Sequence, residues 1–102
     1  MNFIGKLTSV SSLKEVQNEN GVFYFNSFVL EKVGINGVVT QAMQFSAKGT
    51  LAKELSDLFT ARDGIVPNTF LATFTPQARK FRRQDGTDGV LYENLCETLE
   101  ML

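Results

Sequence analysis

The sequence predicts a small, mainly β fold with one helix set between its third and fourth strands. Three observations carry this. Val22 to Leu30 is dense in aromatic and β-branched residues, as half-buried strands are. Asn18-Glu19-Asn20-Gly21 and Gly34-Ile35-Asn36-Gly37 place strong turn signals on either side of it. The apolar period then changes, with Leu51, Leu55, Leu58 and Phe59 recurring at helical spacing.

Taken in order, Asn2 to Val10 reads as the first strand, with Phe3, Ile4, Leu7 and Val10 apolar. Gly5 interrupts it, and a glycine inside a strand marks a bulge or a sharp bend. Val22 to Leu30 is the second strand and Val38 to Ala47 the third, so the two form a long hairpin. Within the second strand, Phe28 and Leu30 are expected to face the core, sharing parity with Tyr24 and Asn26. Phe23, Phe25, Ser27 and Val29 then face outward. Thr50 is the expected helix N-cap, and Gly64 the stop after Arg62. Val66-Pro67-Asn68 breaks the chain. Thr69 to Thr75 alternates as a fourth strand, and Phe45, Phe59, Phe70 and Phe74 are expected core residues. Asp85-Gly86-Thr87-Asp88-Gly89 is a turn. In the last segment, Val90 to Leu102, the leucines at 91, 95, 99 and 102 fit a helix as well as a strand. The preceding turn implies a hairpin, and strand is the assignment.

This order, β-β-β-α-β-β, is the layout of the OB-fold, a five-stranded Greek-key barrel with a helix between strands three and four. Such folds bind ligands on the face of strands two and three, flanked by the loops joining strands one to two and four to five. The second of those loops holds Arg79-Lys80-Phe81-Arg82-Arg83-Gln84-Asp85-Gly86, four of the chain's ten basic residues within five positions.

Composition bounds the rest. With 102 residues and 43% apolar content, one domain spanning 1–102 is expected. No apolar run approaches the roughly 20 residues that cross a membrane, and the N-terminus does not read as a signal peptide. Cys96 is the lone cysteine, which excludes an internal disulfide and fits a reducing cytoplasm. There is no histidine, so ordinary catalytic triads and zinc sites are not expected. Glu93, Glu97 and Glu100 lack the loop geometry of a metal site. No cofactor, no metal and no catalytic residue is expected. The net charge of −1 is unevenly spread: all ten basic residues precede position 84, and the last nineteen positions hold acids alone.

Several stretches together resemble the bacterial-type single-stranded DNA-binding proteins and the related primosomal replication proteins. Phe3-Ile4-Gly5-Lys6-Leu7 resembles the family's opening strand, and Phe28-Val29-Leu30 after Asn20-Gly21 its second. Lys48-Gly49-Thr50-Leu51-Ala52 resembles the start of its helix. Arg79-Lys80-Phe81, then Gln84-Asp85-Gly86 and Tyr92, resembles its Arg-Lys-aromatic hairpin. The likeness runs over roughly residues 2–99. The departures are specific. The chain has no tryptophan, Phe81 stands in one stacking position, and Gln41-Ala42-Met43 has no ring. The chain also stops at Leu102 without the family's acidic tail, which leaves protein partners unspecified and points to a phage, plasmid or accessory version.

The resemblance implies sequence-tolerant binding of single-stranded DNA by a homo-oligomer, a dimer or tetramer. Cations attract phosphates and release counterions, and aromatic rings stack on bases. In an extended hairpin Arg79, Phe81 and Arg83 share one face, and Lys80 and Arg82 the other. Lys6 and Lys48 fall near the family's backbone-contacting positions, where a plain surface lysine is the competing account. Phe23 and Phe25 have two readings, base-stacking platforms or an oligomer interface. The competing functions are an OB-type protein-interaction module without nucleic-acid binding, an enzyme, and an RNA-preferring variant.

Overall fold

The computed structural model describes residues 1–61 and 68–102. The helix stop expected at Arg62 and Gly64, and the break at Val66-Pro67, lie outside those residues. The strands are β1 (Asn2–Val10), β2 (Lys14–Asn18), β3 (Gly21–Val33), β4 (Val39–Lys48), β5 (Thr69–Arg82) and β6 (Asp88–Met101), with α1 (Thr50–Ala61) between β4 and β5. They form one sheet in the order β1-β5-β6-β4-β3-β2. β1 also pairs antiparallel with β3, so the pairings run round a ring from β1 back to β1. The link between β4 and β6 is a single parallel pair, Ser46 with Leu95.

Six strands stand where five were expected. The addition is β2, whose five residues are all exposed and show no apolar alternation. Only its ladder with β3 makes it a strand, from Lys14 opposite Phe25 to Asn18 opposite Gly21. The Asn-Gly signal therefore closes a tight β2–β3 hairpin, where Gly21 takes φ 121°. A second correction concerns the basic cluster. Residues 79–82 belong to β5 rather than to a loop, and only 83–87 turn. The last segment is a strand, paired with β5 from Phe70–Met101 to Arg82–Asp88.

Alternation builds the core. Phe3 and Leu7 of β1, Phe28 and Leu30 of β3, Phe45 and Ala47 of β4, and Phe70, Ala72 and Phe74 of β5 are all buried. Phe45 is central: it stacks on Phe28 at 5.1 Å and meets Phe74 edge-on at 5.0 Å and Phe3 at 5.9 Å. Such pairs add about 0.5–1.5 kcal/mol each beyond burial. Phe59 packs against this cluster half-buried. Helix α1 closes one end with Ala52 and Leu55. Its first bond, from Lys53 N, is accepted by Gly49 O, so Gly49 rather than Thr50 stands at the cap. Gly5 does not itself bulge. A Cβ there would stand 2.9 Å from Glu31 O, so the glycine lets β3 approach, and the bulge falls between Leu7 and Ser9.

Candidate nucleic-acid interface

The parity of β3 decides which rings reach solvent. Asn26, Phe28 and Leu30 turn inward, while Phe23 and Phe25 remain 48% and 37% exposed. The turn into α1 then fixes Lys48. Gly49 takes φ 65°, and its N–H donates to Tyr24 O at 2.7 Å, which ties the end of β4 to β3 beside these rings. Phe23, Phe25, Lys48 and Arg79 of β5 line one open groove of about 500 Å³, with Val16 of β2 and Glu93 of β6. These predicted contact residues, distant in sequence, meet here.

The paired ends of β5 and β6 continue from the groove as an arm. Arg79 stands opposite Leu91 and Phe81 opposite Gly89, on one face of the ribbon. The Phe81 ring lies across Gly89: a Cβ there would meet Phe81 Cζ at 2.5 Å. The ring nevertheless keeps 44% of its surface exposed. Arg83 crosses it, with Cζ 5.3 Å from the ring centroid and Nη1 donating to Asp88 O at 2.7 Å. The tip is held by Asp85, which accepts from Thr87 N at 3.0 Å and Thr87 Oγ1 at 2.6 Å. The Thr87 hydroxyl, then its amide, hold the Asp85 carboxyl below the usual range.

Lys80 and Arg82 have the opposite parity, alongside Tyr92, which is 78% exposed. Arg82 pairs with Asp88 at 3.7 Å, in full solvent where such pairs contribute little. Lys6 is not brought to the groove. It lines a separate depression with Glu31 and Lys32.

Other cations reach the rings from positions with no sequence signal. Lys14 Nζ lies 5.8 Å from the Phe25 ring and Lys53 Nζ 5.5 Å from that of Tyr24. Their placement depends on the β2–β3 register and on the docking of α1, which is tertiary information. Tyr92, read in the sequence only as part of the hairpin motif, is brought to the surface by the register of β6 against β5. Among the described residues no group of three Cys, Asp or Glu is arranged to hold a metal ion. The chemistry on offer is therefore flat apolar faces beside positive charge, along a path open to solvent.

The sequence matches no protein-family model and no curated protein. Solved structures do match. A Plasmodium falciparum single-stranded DNA-binding protein, solved in complex with single-stranded DNA, superposes with TM-score 0.53 at 10% identity, covering 100% of this chain and 92% of that one. A deletion variant of the Thermus aquaticus single-stranded DNA-binding protein gives 0.52 at 12% identity, covering 99% of this chain and 48% of that one. This chain has the OB-fold of single-stranded DNA-binding proteins. The mitochondrial protein of Saccharomyces cerevisiae aligns at TM-score 0.49 and 12% identity, over 100% of this chain and 92% of that one. Within this OB-fold, the groove lies on β3 and β4, and the β2–β3 hairpin and the β5–β6 arm border it. That is the general ligand face of the architecture.

Proposed function

We propose that this chain binds single-stranded DNA with little regard to sequence, and that it acts by holding strands rather than by catalysis, during replication, recombination or the processing of phage or plasmid DNA. One observation carries the reading: exposed rings and cations lie together along a single path. Phe23, Phe25, Lys48 and Arg79 share the groove, and Phe81 with Arg83 extends it along the arm. Rings stack on unpaired bases, and cations neutralise phosphates, without demanding a base order. Lys80 and Arg82, on the reverse of the arm, extend the positive field, and Lys6 adds a more distant charge. The fold shared with the Plasmodium protein supports the same reading. We further propose a dimer or tetramer as the working unit, since Val22, Val39, Val90 and Met101, none of them in the groove, leave apolar surface uncovered.

Fluorescence anisotropy of a labelled dT oligomer at several salt concentrations tests the proposal. Saturable binding is expected at about 50 mM salt. Its log K should fall linearly with log salt, by roughly 0.7 per phosphate contacted. A folded protein that leaves the oligomer unbound, yet retains a protein partner in a pull-down, would instead be an interaction module.

A further inference from the structure

Glu93 is out of place in a groove that collects phosphates. It is the one carboxylate lining it, in company with Lys48 and Arg79. It is half-buried, and Ser46 Oγ donates to its Oε2 at 2.9 Å across the β4–β6 contact. Neither Lys48 nor Arg79 pairs with it: Arg82–Asp88 is the only ion pair among the described residues. A negative charge held in this way repels a phosphate backbone, whereas a base edge can approach it. An ionised carboxylate only accepts hydrogen bonds. Beneath the same groove Asn26, 5% exposed, gives its Nδ2 to Ala52 O at 2.9 Å. Its Oδ1 has no protein donor among the described residues but is enclosed, so the acceptor that faces a base in the groove is the Glu93 carboxylate.

This corner of the groove therefore asks for donors, and bases differ in what they supply. Guanine presents two adjacent donors, N1–H and N2–H, which match the two oxygens of a carboxylate. Its O6 remains free for a neighbouring cation. Cytosine and adenine present one amino group beside a ring-nitrogen acceptor. Thymine presents one N–H between two carbonyl oxygens, which a carboxylate repels.

We propose that Glu93 makes one subsite of the groove selective for guanine, by accepting from N1–H and N2–H of an unpaired base. This rests on the nucleic-acid binding proposed above. Sequence tolerance then holds along the arm and most of the groove, with a bias at this one point.

The test is anisotropy with a labelled dT oligomer and matched oligomers carrying guanine, adenine or inosine at every third position. Inosine keeps N1–H and O6 but lacks the N2 amino group. For the unmodified protein, the guanine oligomer should bind roughly tenfold tighter than all-dT. Adenine should gain less, and inosine should lose most of the advantage. E93Q keeps an acceptor for Ser46, so the fold is spared. It should bind guanine and all-dT oligomers alike, with all-dT affinity equal to or above that of the unmodified protein. Equal binding of guanine and all-dT by the unmodified protein overturns the inference. So does an equal gain for adenine or inosine, or a guanine preference that survives in E93Q. Each of these leaves the dT-binding proposal standing, whereas failure of every oligomer to bind at about 50 mM salt overturns both.

Discussion

Phe81 illustrates how a single residue's role depends on its neighbour across the ribbon. Gly89 leaves room for the ring to lie close against the β6 backbone, and Arg83 covers part of it. The ring is thereby fixed in place while still partly open, which suits a stacking surface. Replacing both Phe81 and Arg79 by alanine should weaken binding of a dT oligomer by tenfold or more, since each stacked ring contributes about 1–3 kcal/mol. Both side chains are outside the core, so the thermal midpoint should be nearly unchanged. Anisotropy beside a thermal melt checks the two halves of the statement. Cys96 gives a prediction of another kind. Burial, and secondarily the Glu97 charge, push its thiol from 9.0 to about 11. The unfolded chain therefore releases this proton first as pH rises. The stabilisation is complete below pH 9 and is lost progressively between 9 and about 11, on the order of 2 kcal/mol. Urea unfolding at pH 8 and 10.5 should show a steeper loss for the native chain than for C96A.

At the scale of elements, legibility in the sequence followed burial. The parity of β3 was readable because Phe28 and Leu30 are packed and Phe23 and Phe25 are not. The helix was readable from its leucines, although its cap was not, since Gly49 serves through its backbone. β2 was invisible, and the outer half of β5 could be read only from its turn and its basic cluster, for a shared reason. Lys14 to Asn18 and Gln77 to Arg82 are solvated on both faces, so they carry no apolar period. Their strand character comes from ladders with β3 and β6. The basic cluster was legible as chemistry and as an extended hairpin with Arg79 and Phe81 on one face, although it was set in a loop rather than in β5. Gly5 was legible as a special position, but the contact that requires it is made by a residue 26 places along the chain, Glu31. G5A should force β1 and β3 apart and destabilise the fold by about 1–3 kcal/mol. A lower urea midpoint with an unchanged slope would bear this out, and an unchanged midpoint would contradict it.

On the scale of the whole molecule, the uneven charge of the sequence acquires a direction in space. The described residues extend 48 × 27 × 22 Å, with a radius of gyration of 15.2 Å. A compact chain of this length has about 13 Å. The difference reflects the β5–β6 arm, which carries Arg79, Lys80, Arg82 and Arg83 away from the core, while Glu97 and Glu100 lie at the other end of β6. The groove opens at the base of the arm. No composition average could report this, because the net charge sums both ends. The most direct measurement is a two-dimensional NMR titration of the nitrogen-15-labelled chain with a dT oligomer. Shifts concentrated at the amides of Phe23, Phe25, Lys48, Arg79, Phe81 and Arg83 are expected, with the outward face of α1 silent. Shifts confined to other surfaces, or none at saturating oligomer, would contradict the proposed binding path.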